Sequence, residues 1–335
     1  MIMHKQKRSI WVIGDYRNYF QNRVTLQLLS KANDLAPQIG AEVCAVLFGQ
    51  GLDEYVAEYI AHGAKKVYVV DDPVLKDYSV ETYAALMQHL AQKYAPEIIL
   101  VGATSFGKEF AARVAKRLGT GLTADCVGLE ITEDGLLLQI APSFGGNLIA
   151  EIITPHHRPQ MATVRPGTFQ EIPHDNDRRG EVIRETMMKD LPKDRVRLIG
   201  NEHQPERDQR IEDATVVVCG GRGMGSKKKL KKLFDLAELM GAEIGGTRPV
   251  VYAGWLGADA LIGQAGKNIK PKILISFGIS GAIQHTAAIN EADFIIAVNK
   301  NPNATMMKMA DVAVVADANQ FCTALIKGLK ERIKA

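Results

Sequence analysis

The chain has 335 residues, enough for about two domains, because a single core seldom grows past roughly 250–300 residues. Apolar residues make up 46% and charged residues 24%, a balance that excludes a disordered or fibrous chain. With 41 basic and 38 acidic residues the net charge is +3, so no overall field draws the chain toward nucleic acid.

In chain order, Met1 to Asp15 carries a few basic residues and only a short apolar run, Ile10 to Ile13. That run is too short for a signal-peptide core, and the chain has no 18-residue apolar stretch, so neither export nor a membrane span is expected. Strands are expected at Ser9–Gly14, Ala41–Phe48, Lys65–Val70 and Glu97–Gly102, each short and nearly continuous in apolar residues. Helices are expected between them at about 24–38, 52–62, 80–94 and 107–118. In the third, Tyr83, Leu86, Met87, Leu90 and Tyr94 fall on one face and Ser79 is placed as N-cap. Apolar strands alternating with helices imply a parallel sheet covered on both faces.

After Gly121 the rhythm changes. Leu136–Ile140, Leu148–Ile153 and Gln160–Val164 read as strands with no room for helices between them, an antiparallel or mixed addition to the sheet. Residues 170–212 form the domain boundary: Pro173–Gly180 and Asn201–Arg210 are too polar to be core, the linker is centred near 200–210, and 181–199 stays open to the first domain. From Ala214 the α/β rhythm resumes. A strand at Thr215–Cys219 is followed by a glycine turn and a helix over about 227–240, with Leu230, Leu233, Phe234 and Ala237 expected on its buried face. Further strands are expected at 242–244, 271–277, 293–298 and 312–316, and a last helix at 319–333.

Cys44, Cys126, Cys219 and Cys322 are scattered with no CxxC pair, so neither a disulfide framework nor a zinc site has support. A reducing compartment, the cytoplasm, fits such free thiols in apolar runs. His156–His157 lacks a third ligand at metal spacing and reads as a solvated turn; no metal is expected. Lys227, Lys228, Lys229, Lys231 and Lys232 read as the exposed face of a helix, without the aromatic residues that single-strand binders use for stacking. No Ser/His/Asp, Cys/His or paired-carboxylate arrangement stands out.

Two glycine-bearing strand ends carry the functional reading. Cys219–Gly220–Gly221–Arg222–Gly223–Met224–Gly225 lies between a strand and a helix capped by Ser226, and its order is not the usual G-x-G-x-x-G fingerprint. Phe277–Gly278–Ile279–Ser280–Gly281–Ala282–Ile283–Gln284–His285 lies between a second strand and helix, with Ser280 expected as N-cap. A lone glycine loop reads more readily as a plain tight turn. Two on one small α/β domain, both at carboxyl ends of strands, point to one extended nucleotide lying across the sheet edge. Arg222, Arg248 and His285 are the polar groups expected to face that cleft; most arginines are surface ion-pair partners, but Arg248 follows another strand end, Gly245–Gly246–Thr247. A fixed cation beside a redox ring would stabilise its reduced, anionic form.

At Gly220–Gly223, Gly263–Gln264–Ala265–Gly266 and Gly278–His285 the chain strongly resembles the alpha subunit of electron-transfer flavoproteins. The likeness continues through Ala297–Lys300 and Val315–Asp317 and, in the first half, through Gly102–Ser105, Leu118–Cys126 and Val164–Phe169, so it spans essentially the whole chain. The resemblance implies an N-terminal α/β domain over residues 1–205 and a Rossmann-like (DHS-like) FAD-binding domain over residues 206–335, with no substrate chemistry on this chain. It also implies a heterodimer with a beta subunit that carries its own adenine nucleotide. Electrons would be exchanged with an acyl-CoA dehydrogenase or similar flavoenzyme, as in fatty acid beta-oxidation.

Carried over by position, Arg222, Gly223 and Ser280, Gly281, Ala282, Ile283 and Gln284 would hold the diphosphate. Arg248 would sit against the flavin ring and His285 would reach its pyrimidine oxygen. Gly263, Gln264 and Gly266 would line the ring and ribityl chain, while Asn299, Asp317 and Ala318 would contact the adenosine end. Where the family commonly has a hydroxyl residue bonded to flavin N5, this chain has Ala265; Thr247 or a backbone N–H would have to serve instead. Thr247–Arg248–Pro249 followed by Trp255 looks more like the bifurcating, NADH-using branch. Two rival readings use the same cleft: a nicotinamide-dependent oxidoreductase, for which His285 is the one evident acid or base, and an adenine-nucleotide sensor.

Overall fold

A computed structural model describes residues 8–143, 148–188, 190–191, 195–196, 198–200 and 211–334. The chain divides into two compact units at Asn201/Glu202. Most of the expected linker centre, 200–210, lies outside the described residues.

The N-terminal unit is built on a seven-stranded parallel sheet. Its strands are β1 (Ser9–Ile13), β2 (Glu42–Gly49), β3 (Lys66–Asp71), β4 (Ile98–Gly102), β5 (Leu122–Cys126), β9 (Gln160–Val164) and β10 (Glu181–Arg184). They lie side by side in the order β10-β3-β2-β1-β4-β9-β5. Alternation along β1 sends Ile10 and Val12 into one buried layer and Trp11 and Ile13 into the other. The first layer is covered by α1 (Tyr19–Leu35) and α2 (Asp53–Ala61), the second by α3 (Val80–Tyr94) and α4 (Ser105–Leu118). Burial on both faces is why these strands read as unbroken apolar runs.

The Ser79 hydroxyl accepts from the Thr82 N–H at 3.4 Å and starts α3 as its spacing predicts. Helix α1 begins earlier than its apolar period shows, because Asn18 caps it through the Gln21 N–H at 2.9 Å and its first turn, Tyr19 to Asn22, has no fully buried residue.

Part of the expected antiparallel addition is corrected. β6 (Gly128–Ile131), β7 (Leu137–Ser143) and β8 (Leu148–Ile152) do form a separate antiparallel sheet. Gln160–Val164 does not join them: it enters the main sheet parallel to β4 and β5, between the two. All five of its residues are buried, as an interior parallel strand requires.

The C-terminal unit has a five-stranded parallel sheet ordered β12-β11-β13-β14-β15. These are β11 (Val216–Gly220), β12 (Glu243–Gly246), β13 (Ile273–Phe277), β14 (Ile295–Asn299) and β15 (Val312–Val315). The helices are α5 (Lys227–Leu230), α6 (Lys232–Met240), α7 (Arg248–Tyr252), α8 (Ile283–Thr286), α9 (Thr305–Met309) and α10 (Ala318–Lys334). Val217 and Cys219 face a layer that includes Met306 and Met307; Val218 faces Leu230, Leu233 and Leu236.

The single helix expected over 227–240 is broken at Lys231. The Phe234 N–H reaches the Lys231 carbonyl at 3.0 Å, a tightened turn that rotates Phe234 outward, where it is 48% exposed instead of core. Among the described residues no helix is long and apolar enough to cross a membrane.

Candidate functional site

In the C-terminal sheet the strand order reverses between β11 and β13, the crevice where open α/β sheets place ligands. The two glycine turns meet there. The Gly221 N–H donates to the Phe277 carbonyl at 2.9 Å and the Gly223 N–H to the Gly278 carbonyl at 3.0 Å. Backbone lies directly on backbone: a Cβ on Gly223 would stand 2.6 Å from the Gly278 Cα. Gly278 has φ +62°, a conformation open to glycine at little cost.

The remaining candidate residues gather at the carboxyl ends of neighbouring strands. Beyond β12 the Thr247 N–H donates to the Gly220 carbonyl at 3.2 Å, fixing the start of α7 against the first glycine turn. Thr247 is buried and makes no side-chain cap to α7; Arg248 follows it, exposed, with its guanidinium 4.7 Å from the centre of the Tyr252 ring.

The turn over residues 261–267 is tied on both sides. The Ile262 N–H donates to the Gly246 carbonyl at 3.0 Å and the Gln264 N–H to the Gln284 carbonyl at 2.8 Å. Gln264, Ala265 and Gly266 are exposed on this turn, while Gly263 is packed so closely that a Cβ would lie 2.8 Å from the Gln284 carbonyl oxygen.

After β13, Ser280 does not cap the next helix. α8 is only Ile283–Thr286, Ala282 stands at its N-cap, and no side chain caps it. The Ser280 carbonyl instead accepts from the Met306 N–H at 3.2 Å, and Gly281 lies so near Met306 that a Cβ would be 2.3 Å from that nitrogen. This contact fixes the turn and leaves the side chains of Ser280, Ala282, Ile283 and Gln284 exposed.

His285 is 5% exposed. Its Nδ1 lies 3.0 Å from the Ile262 carbonyl, and its Nε2 is buried without a hydrogen-bond partner. Burial pulls its pKa below the ordinary imidazole value, opposed only by the Ile262 carbonyl.

At the far end, the Asn299 amide donates to the Ile279 carbonyl at 2.7 Å and its oxygen accepts from the Asn301 N–H at 3.0 Å. The Asp317 carboxylate pairs with Lys300 at 2.8 Å and accepts from the N–H groups of Asn319 and Gln320 at the start of α10, where Ala318 is buried. The Lys300 hydrogen bond, then the Gln320 N–H, pull the Asp317 pKa down to about 2. Both side chains therefore already serve the chain's own turns.

Three contributors were not picked out from sequence. The Ile262 carbonyl orients His285 from 23 residues upstream, and neither Tyr252 nor Asn319 belongs to a glycine motif. Asn319 donates to the Met224 carbonyl at 3.0 Å, tying α10 to the first glycine turn.

At the equivalent strand ends of the N-terminal unit, β1 and β4, the chain's own side chains pair with one another. Asp15, 4% exposed, bonds Arg17 at 2.5 Å and accepts from the Thr104 hydroxyl at 2.8 Å. The Arg17 guanidinium lies 3.5 Å from the Phe106 ring centre, and the Tyr16 hydroxyl donates to the Phe48 carbonyl at 3.0 Å.

Residues 10–188 match the model of the electron transfer flavoprotein domain, and residues 210–290 that of the electron transfer flavoprotein FAD-binding domain. The chain is 41% identical over 324 residues to an electron transfer flavoprotein subunit alpha of Thermoanaerobacterium thermosaccharolyticum, covering 97% of this chain and 98% of that one. It is 40% identical to the same subunit from Megasphaera elsdenii, covering 97% of each. It is also 38% identical to subunit LctC of the lactate dehydrogenase (NAD(+),ferredoxin) of Acetobacterium woodii, covering 95% of this chain and 76% of that one.

Proposed function

Since the chain belongs to the electron transfer flavoprotein family as an FAD-binding alpha subunit, we propose that the carboxyl ends of β11 to β15 hold the FAD and set its potential. The observation that carries this reading is the stacked pair of glycine turns beside a buried imidazole whose Nε2 has no partner within the chain. The residues fit FAD: the turns allow backbone N–H groups to approach a diphosphate, and the buried unpaired ring nitrogen offers a position for a polar ligand atom. Bound FAD supplies the electron chemistry, accepting one or two electrons and passing them on.

The chain's own residues bind and tune. Arg222, Gly223 and Ser280 to Gln284 take the diphosphate; Gly263, Gln264 and Gly266 line the ring and ribityl chain. Asn299, Asp317 and Ala318 stand at the adenosine end. His285 meets the pyrimidine edge and Arg248 provides a fixed cation beside the ring. Ala265 offers no hydroxyl, so the donor to flavin N5 comes from backbone of the same turn or from Thr247.

A cation at this position stabilises the negative charge gathered on reduction, and each ~1.4 kcal/mol of that stabilisation corresponds to about 30 mV for a two-electron couple. Arg248→Ala therefore lowers the FAD potential by tens of millivolts; an unchanged spectroelectrochemical titration would refute the role.

Alpha subunits of this family pair with a beta subunit and exchange electrons with flavin-dependent dehydrogenases. The two domains implied here run over residues 1–205 and 206–335, and the exchange partner is an acyl-CoA dehydrogenase or a related flavoenzyme of the cytoplasm. Thr247–Arg248–Pro249 with Trp255, and a relative whose name couples NAD(+) with ferredoxin, support a bifurcating system.

Co-expression with the beta subunit, followed by absorption spectra and mass analysis of the released cofactor, tests the whole reading. A yellow complex with FAD on this chain is expected. Release of NAD or of an adenine nucleotide alone from this chain would favour the oxidoreductase or the sensor.

A further inference from the structure

Resting on the placement of His285 at the flavin pyrimidine, we propose that FAD binding takes up one proton, which is held at Nε2 of His285. The Nδ1 atom lies 3.0 Å from the Ile262 carbonyl, an oxygen that can only accept, so Nδ1 carries a hydrogen. Burial lowers the pKa of the ligand-free ring, so at pH 8, above the ordinary imidazole value, the imidazole is neutral and Nε2 is a bare lone pair. The pyrimidine oxygen of a flavin is likewise only an acceptor, and two lone pairs cannot form a hydrogen bond. Moving the single hydrogen to Nε2 would turn the Nδ1 lone pair onto the Ile262 oxygen. A donor at Nε2 with the Ile262 contact kept therefore requires the doubly protonated ring.

The surroundings leave the counter-charge to the ligand. Lys267, on the turn that carries Ile262, is already paired with Glu212 at 2.8 Å, and Arg248 at the start of α7 lies over Tyr252. Gln284, beside His285 in α8, and Gln264, across from it, are uncharged. Burial and the Ile262 carbonyl are the two influences on the ring, and neither is a charge. The diphosphate of FAD brings the anionic field that a buried imidazolium needs. Binding thus raises the pKa of the ring, and its affinity is fully expressed below the ligand-free pKa. Between that pKa and the higher, FAD-bound one, the dissociation constant climbs about tenfold per pH unit, as uptake of one proton demands.

The test titrates FAD into the flavin-stripped heterodimer at pH 8 in phosphate and in Tris, whose ionisation enthalpies differ. The dependence of the measured heat on buffer gives the number of protons taken up. Wild type is expected to take up about one more proton than His285→Gln, which still binds. Histidine-selective ¹⁵N NMR of the wild type gives an independent readout should that variant misfold: on FAD addition Nε2 changes from lone-pair type to N–H type while Nδ1 stays N–H type, as an imidazolium requires. Equal uptake in wild type and variant, or a lone-pair signal from either ring nitrogen in the loaded protein, overturns the proposal. Failure of this subunit to bind FAD at all overturns both the proposal and the assignment of the site beneath it.

Discussion

Gly278 and Gly241 share a backbone conformation but not a neighbourhood, and replacing each with alanine separates two costs. Their φ values are +62° and +60°. A Cβ at Gly241, the C-cap of α6, meets nothing within 4 Å, whereas at Gly278 it would lie 2.7 Å from both the Cα and the carbonyl carbon of Gly223 and 3.0 Å from the Met224 nitrogen. Both variants incur the left-handed conformational cost, about 1–2 kcal/mol, partly offset by a less flexible unfolded chain. Only Gly278→Ala must also push backbone away from backbone, which adds about 1–3 kcal/mol because no side-chain rotamer can yield.

Gly241→Ala should therefore cost about 1 kcal/mol and leave FAD affinity unchanged. Gly278→Ala should cost about 2–4 kcal/mol and weaken FAD binding at least about tenfold, which corresponds to ~1.4 kcal/mol. Urea unfolding of the C-terminal unit, read by the fluorescence of released flavin, gives the first quantity, and equilibrium titration with FAD gives the second. Equal losses in the two variants would refute the claim that close approach of the glycine turns builds the site.

Thr104→Val removes both the hydroxyl that donates to buried Asp15 at 2.8 Å and the acceptor for the Gly107 N–H at 3.0 Å that starts α4. A loss of about 1–3 kcal/mol in the N-terminal unit is expected in chemical denaturation, with FAD affinity unaffected. Asp317 has its pKa depressed from 3.8 to about 2, so its contribution to stability is present above pH 4 and is lost as pH falls through about 2. Asp317→Asn should flatten that part of the acid-unfolding curve, and an unaltered acid limb would exclude the Lys300 pairing as its cause. The four cysteines are all buried, and burial pushes Cys44 and Cys126 up to about 12 and Cys322 to about 11. A disulfide reagent at pH 8 should therefore label them only at the rate of unfolding; rapid labelling of native protein would contradict that protection.

The parallel sheets were legible in sequence because strands buried on both faces must be apolar throughout, as Ile10 to Ile13 and Ile98 to Val101 are. β5 lacked that signature: Thr123 and Asp125 interrupt it, and the pairing with β9 shifts register between Thr123 and Cys126. β9 showed an apolar run but not its position. Insertion between β4 and β5 after the hairpin excursion is a non-sequential pairing that no local pattern encodes. The glycine turns were legible, since Gly220 to Gly225 and Gly278 to Gly281 break the rhythm where strands end. The state of His285 was not, because it depends on a carbonyl 23 residues upstream and on burial that only the folded chain provides.

The two units pose one topological problem and answer it oppositely, which locates function in side chains and not in fold. In each, the first strand has its successor on one side and a later strand on the other, so each opens a crevice at the carboxyl ends, β1 beside β4 and β11 beside β13. After β1 the chain reads Gly14–Asp15–Tyr16–Arg17, and after Gly220 of β11 it reads Gly221–Arg222–Gly223. One glycine followed by a carboxylate, a phenol and a guanidinium lets the N-terminal crevice close on itself: Asp15 neutralises Arg17, whose charge then rests on Phe106. The flanking glycines of the C-terminal turn leave its one cation exposed. A phosphate entering the first crevice would have to displace Tyr16 from the Phe48 carbonyl and part Arg17 from Asp15, leaving a buried carboxylate without its cation. No such rearrangement stands before the second.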